Sequence, residues 1–370
     1  MEIWVNETWK KIREKLDKTS KENKCRFPYT TKEGAFVEHS SKRANYWTNG
    51  FWPGILWMMY YQTKEEHYRQ QAEKIENELD EVLYDYMSLS HDVGFMWLSS
   101  SVANYRITGN EDSKKRGIIA AAYLASRYNV NGKFIRAWGN SGCEHYNAII
   151  DCMMNLPILY WASEETGDPR YRFIAENHAD TVIDTFIRED GSVNHINLYD
   201  AMTGEYKDSE GGQGYAKGSS WTRGQAWAIY GFALSYIHTK NKKYLVAAKR
   251  VAHYFMAALA ATDDYVPNCD FRSPKEPVYK DSTAGVIAAC GLIEIAKVVP
   301  EFEKDMYMNF AIKILKETEE KYADWSDGEA SIIQMGTEAY ERGQNMSIIY
   351  GDYYFIEAIL KLKGNDILLW

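Results

Sequence analysis

The segment Gln213–Phe232, QGYAKGSSWTRGQAWAIYGF, brings Gln213, Trp221, Arg223, Gln225, Trp227 and Tyr230 into one short stretch. Aromatic rings stack on the apolar faces of sugars, and amides and guanidinium groups bind hydroxyls and carboxylates. The glycine-rich approach to an amphipathic run predicts a loop entering a helix, with Ser219, Ser220 or Thr222 as N-cap. The competing reading is a buried aromatic helix holding a paired arginine.

Two carboxylates stand out. Asp151 lies in YNAIIDCMMNLPILYW, where the helical neighbours Asn147, Ala148, Met154 and Asn155 carry no positive charge. Burial in so apolar a run predicts a raised carboxyl pKa, which suits a general acid near neutral pH. A structural aspartate bonded to Asn147 or Asn155 is the alternative. Asp92 follows His91 and precedes VGFMWLSSSVANY, so it is either a site acid or a helix N-cap. His195, in SVNHINLY, reads as a site residue or a hydrogen-bonded structural one. Trp47 and Trp52, in NYWTNGFWPG, read as core rings or a sugar platform. Trp138, near Gly132, Gly139 and Gly142, reads as a loop residue.

Other chemistries find no motif. There is no HExxH, GxSxG or P-loop, and no GxGxxG linked to a strand. The glycine run at Glu210, Gly211 and Gly212 lacks the following Lys-Ser/Thr of a phosphate cradle. The histidines lack metal-ligand spacing, and Cys25, Cys143, Cys152, Cys269 and Cys290 form no CxxC. No metal or cofactor is expected.

The elements that must position these residues follow from a loose repeat. A strongly apolar helix ends in a small polar turn, followed by a tyrosine and a more polar helix. The turns are TKEEHY from Thr63, TGNEDS from Thr108, TGDPRY from Thr166 and TKNKKY from Thr239. A fifth, VVPEFEKDMY from Val298, lacks the threonine. Such hairpins must stack so that their apolar members share a core, which predicts an all-α chain, an (α/α)6 barrel of six helical hairpins, as one domain over 1–370. SVNHINLY is the best candidate for a short extended piece. The candidate chemistry sits at the starts of the apolar helices, where loops gather at one mouth.

The 370 residues carry a net charge of −9, which disfavours nucleic acid and anionic membranes as partners, and include 12 Trp and 28 Tyr. No window approaches a membrane span. The N-terminal MEIWVNETWKKIREKLDKTS is charged throughout and reads as an amphipathic helix rather than a leader. With the unpatterned cysteines, that predicts reduced thiols in a cytoplasmic protein.

The blocks WTNGFWPGILW, HDVGFMW, IIDCMMNLPILYWASEETGDPRYR, QGYAKGSSWTRGQAWAIYGFALS, DSTAGVIAACGLIEIA and YGDYYFIEAILKL resemble glycoside hydrolase family 88, the unsaturated glucuronyl hydrolases, from about Arg26 to Leu362. The resemblance implies an (α/α)6 barrel acting, without metal or cofactor, on oligosaccharides left by polysaccharide lyases. These end in a 4,5-unsaturated uronic acid. It carries the family's catalytic aspartate onto Asp151 and a second onto Asp92, with His91 before it. Substrate-binding roles fall on Trp47, Trp138, His195, Gln213, Arg223 and Trp227. One departure lies in ERGQNMSIIYGDYY, Glu341 to Tyr354. Relatives that favour sulfated sugars place Ser and Lys there, and only Ser347 remains here. Rivals are the related family 105, acting on unsaturated rhamnogalacturonan fragments, and a non-catalytic oligosaccharide-binding barrel. The spelling SSWTRGQAW and IIDCMMNLP favours family 88.

Overall fold

A computed structural model describes residues 1–138, 144–262 and 264–370. Six apolar helical runs form an inner ring: α2 (Phe51–Thr63), α4 (Val93–Trp97) continued through a π-turn into α5 (Ala103–Thr108), α7 (Pro157–Thr166), α9 (Thr222–Thr239), α11 (Ser282–Val298) and α13 (Ile349–Lys363). Each packs on the next, and α13 packs back on α2, so the ring closes. Outer partners are α3 (Glu66–Leu83), α6 (Glu111–Ser126), α8 (Pro169–Thr185), α10 (Lys242–Ala260) and α12 (Glu301–Tyr322). The sixth outer helix is α1 (Glu2–Glu22), which packs on α13, so the last hairpin joins the two ends of the chain. The barrel expected from the repeat is the one observed.

The cause is hydrophobic. Every residue of α11 from Ser282 to Ala296 is buried, as is every residue of α9 from Thr222 to Ser235. Helices apolar on all sides belong inside. The outer helix α10 instead buries a stripe, Tyr244, Ala247, Ala248, Val251, Ala252 and Phe255, at helical spacing.

The repeated turn has a specific chemistry. The hydroxyls of Thr63, Thr108, Thr166 and Thr239 donate to the carbonyl four residues back and accept the N–H two residues ahead. The residue between, Lys64, Gly109, Gly167 or Lys240, is left-handed and ends the inner helix. Asn110, Asp168 and Asn241 then cap the outer helix with a side-chain oxygen. At the fifth turn Pro300 replaces this device.

Strands decorate one mouth. In sheet order, β5 (His145–Ile149), β6 (Ile196–Asp200) and β7 (Tyr206–Glu210) are antiparallel, with Ile149 opposite Ile196. The extended reading of SVNHINLY holds in β6. β5 is a departure, because EHYNAIID reads from sequence as the approach to a helix. The short pairs β1 (Thr30–Lys32) with β2 (Ala35–Val37) and β3 (Tyr128–Asn129) with β4 (Phe134–Ile135) complete the sheets among the described residues. No helix there is long and apolar enough to cross a membrane. Cys25, Cys152, Cys269 and Cys290 are free thiols, and Cys143 lies outside the described residues.

Candidate active site

The inner helices begin around a common point. Trp47 lies in the 3-10 turn Trp47–Gly50 ahead of α2, with its ring 5.2 Å from Phe95 of α4 and 5.1 Å from Tyr350 of α13. Tyr350 lies 5.4 Å from the Arg223 guanidinium at the start of α9, and Arg223 reaches Asp281 just ahead of α11. Asp151 sits in the 3-10 turn Ile150–Met154 leading to α7. Helix starts expose unpaired N–H groups and a partial positive charge, so this mouth attracts anions although the chain is net negative.

The sheet delivers the central pair. Ile150 N–H donates to the His195 carbonyl at 3.0 Å, extending the β5–β6 pairing by one step. His195 Nε2 then lies 3.5 Å from Asp151 Oδ2, with both residues buried. His91 is buried with Nε2 3.2 Å from Asp92 Oδ1. Asp151 Oδ2, His195 Nε2 and both His91 nitrogens have no hydrogen-bond partner, a concentration of unspent polar atoms that a buried site tolerates only for a purpose.

The two carboxyls are pushed apart. For Asp92, burial outweighs the opposing effects of His91 and the Ser90 hydroxyl, and the pKa is raised. For Asp151, burial also pushes upward. The His195 imidazole, its Nε2 3.5 Å away, with His91 and Arg223 behind, wins and holds it below the ordinary aspartate value. The expectation of a raised Asp151 is therefore corrected. Helix neighbours do not include His195, which arrives just ahead of β6, and Asp151 is not in an α-helix.

Asp92 stands at the N-cap position of α4, but its side chain caps nothing. It accepts instead from the Ser90 hydroxyl at 2.8 Å. The capping oxygen comes from Asn155, whose Oδ1 accepts the Phe95 N–H at 2.9 Å while its Nδ2 donates to the Asp151 carbonyl at 3.3 Å. One amide thus ties the two acid-bearing segments together. Neither Asn155 nor Ser90 was legible as a site residue, although the Asn four positions after Asp151 was a signal.

The stretch around Arg223 differs from expectation. Trp221, not Ser219, Ser220 or Thr222, occupies the N-cap position of α9, and the Thr222 hydroxyl donates to the Asn268 and Cys269 carbonyls. Arg223 Nη1 donates to Asp281 Oδ2 and the Thr337 carbonyl, and Nη2 to the Glu338 carbonyl, each at 2.6 Å. Three of its N–H groups are thus held by the protein, and its Nε has no partner among the described residues. Gln213 donates through Nε2 to the same Glu338 carbonyl at 2.7 Å. Trp227 is fully buried between Phe95 and Tyr354, a core ring rather than an open platform. Trp52 is likewise core. Ser347 spends its hydroxyl on Thr30 and Thr31 of β1.

A pocket of about 390 Å³ opens beside Asp92 and is lined by Trp47, Trp138, Arg43, Arg127 and Arg136 among others. Trp138 is 41% exposed at its rim, with its ring edge-on to His91; Gly139 and Gly142 lie outside the described residues. Arg127 spends its donors on Tyr123 and on the carbonyls of Leu89, Arg136 and Ala137. Arg43 and Arg136 have no carboxylate partner among the described residues. A larger cleft of about 960 Å³, between α1, the β1–β2 hairpin and residues 325–330, contains none of the acids or histidines above. Among the described residues, Asp17, Glu65 and His67 bring ligand-type atoms within 4.8 Å of one another, but outside this site, and Asp17 is already paired with Lys21.

The Glycosyl Hydrolase Family 88 profile matches residues 19–263. The chain is similar to an unsaturated glucuronyl hydrolase of Bacillus sp. (strain GL1), at 39% identity over 86% of each chain. It is also similar to an unsaturated chondroitin disaccharide hydrolase of Streptococcus pneumoniae (strain ATCC BAA-255 / R6), at 35% identity over 88% of this chain and 83% of the relative. The crystal structure of an unsaturated glucuronyl hydrolase from Streptococcus agalactiae superposes with a TM-score of 0.92 at 31% identity, covering 100% of this chain and 94% of that one. With a family profile over most of its length and the same closed helical ring, the chain belongs to glycosyl hydrolase family 88.

Proposed function

We propose that this chain removes the 4,5-unsaturated uronic acid from the non-reducing end of lyase-generated glycosaminoglycan-type oligosaccharides by hydrating the enol ether double bond. The observation that carries this reading is the meeting of Asp151, His195 and His91, buried and with unspent polar atoms, with the half-buried Asp92 where the inner helices begin. Relatives named for glucuronyl and chondroitin substrates favour it over rhamnogalacturonan fragments and over a non-catalytic barrel.

The C4=C5 bond is an enol ether, so C4 is electron-rich. Protonated Asp151 gives its proton to C4, and positive charge develops at C5 and the ring oxygen. Water adds at C5 and returns a proton to Asp151. The hemiketal opens to a C5 ketone, and the hemiacetal left at C1 expels the aglycone alcohol. One carboxyl serves as acid and then as base. Without substrate Asp151 is held low. The arriving uronate adds negative charge and displaces water, and both raise the pKa of Asp151, so its proton is taken up as substrate binds. Asp92, with its raised pKa, and His91 hold sugar hydroxyls. Trp47 and Trp138 supply faces for the rings.

Arg223, Gln213 and Trp227 serve this site as its frame, with the Gln213 Oε1 left as an acceptor. The pocket cations Arg43 and Arg136 take over the recognition of acidic groups first assigned to Arg223. The catalytic unit is one domain over 1–370, which the packing of α1 on α13 supports. The free thiols Cys25, Cys152, Cys269 and Cys290 support a reducing, cytoplasmic location.

Turnover of an unsaturated chondroitin disaccharide in deuterated water tests the reading. Absorbance of the double bond should disappear and deuterium should appear at C4 of the product. Asp151→Asn should lower kcat by about 10²–10⁴-fold or more. A product without deuterium at C4, or a variant keeping a tenth of wild-type kcat, refutes it.

A further inference from the structure

Gly212, the last residue of the Glu210–Gly211–Gly212 segment that lacks the sequence of a phosphate cradle, lies against the His195 imidazole. Gly212 has φ +59, and a β-carbon built on it would stand 2.0 Å from His195 Nδ1 and 2.6 Å from Cε1. The next backbone N–H, that of Gln213, donates to the same Nδ1 at 3.0 Å. The Trp221 ring packs 4.2 Å from the imidazole. A ring nitrogen that accepts an N–H carries no proton, so the proton of this imidazole is on Nε2, the atom facing Asp151. Gln213 is itself tied down. Its carbonyl accepts the Tyr340 N–H at 2.9 Å, and its side chain shares the Glu338 carbonyl with Arg223.

We propose that Gly212 is a positioning residue for the reaction: its missing side chain lets the Gln213 amide close on His195 Nδ1, which fixes the Nε2–H tautomer and aims that proton at Asp151. The inference rests on Asp151 as the proton-transfer group. A donor aimed at Asp151 holds the carboxylate in one orientation and stabilises the ionised form to which the attacking water returns its proton. Any side chain at 212 must push the imidazole aside or open the amide contact, because the atom it meets belongs to a ring packed against Trp221.

Gly212→Ala is compared with Gly218→Ala. Gly218 has φ +76 in the same loop, but a β-carbon there meets nothing within 4 Å. Both variants bear the strain of a left-handed alanine, and only one reaches the imidazole. Gly212→Ala should lower kcat/KM at least tenfold relative to Gly218→Ala at a comparable melting temperature. Its high-pH limb should move to higher pH, because Asp151 loses a donor to its ionised form. Nitrogen-15 NMR of the histidines reads the tautomer without reference to turnover: the wild type should show His195 protonated on Nε2, and Gly212→Ala should lose that state. A wild-type ring protonated on Nδ1, or equal kcat/KM and pH profiles for the two variants, overturns the proposal. If no unsaturated uronide is turned over, the functional reading fails while the NMR result still judges the tautomer.

Discussion

Arg223→Lys separates recognition from architecture. The guanidinium makes three charge-assisted hydrogen bonds at 2.6 Å, to Asp281 and to the Thr337 and Glu338 carbonyls, while only 1% exposed. Lysine keeps the charge and can meet Asp281, but it has no planar fork to hold two further carbonyls. Two bonds to a charged group, at about 1.5–3 kcal/mol each, give a loss of about 3–6 kcal/mol. At about 2.1 cal/mol/K per residue, 370 residues unfold with an entropy near ~0.8 kcal/mol/K, so Tm should fall by about 4–8 °C. Calorimetry reads that shift, and steady-state kinetics well below Tm reads function on the same preparation. KM should change less than about twofold, since three of the guanidinium N–H groups are held by protein, and any loss should be in kcat, through Glu338 and Gln213 to His195. An unchanged Tm with KM raised tenfold would return Arg223 to substrate recognition and refute this reasoning.

The remaining expectations follow from the same geometry. In the proposed mechanism Asp151, held low in the absence of substrate, must be protonated to act, so kcat/KM should fall as pH rises through its free-enzyme pKa. The limb of kcat, which reports the loaded site, should lie at higher pH; coincident limbs in full pH profiles contradict proton uptake on binding. Arg43→Gln and Arg136→Gln each remove a pocket cation that has no carboxylate partner among the described residues. Each should raise KM several-fold, with a smaller effect at high salt for the exposed Arg43. A KM unmoved in the double variant would leave the helix starts as the source of positive potential.

What the sequence discloses is what its chemistry settles over a few residues. The hairpin ends were legible because a threonine, a left-handed residue and a capping Asn or Asp complete their hydrogen bonds within one turn, so the motif at Thr108 or Thr166 is its own structure. The ring followed, since helices such as α11, apolar on every side, have no stable place outside one. Asp151 was legible as unusual because a carboxylate in an apolar run needs a reason to be there. Its pKa was not, because the deciding group, His195, enters from the residue just ahead of β6, and β5 was masked by the apolar run into which it leads. The partners of Arg223 were hidden in the same way: Asp281, Thr337 and Glu338 reach it only when α9, α11 and the segment before α13 are brought together. Gly212 is the sharpest instance. In the sequence it is one more loop glycine, and its meaning lies in a ring nitrogen brought by the segment just ahead of β6 to where a β-carbon would have been. Closing the barrel makes neighbours of residues that no spacing rule connects, and those neighbours decide which carboxyl carries the proton.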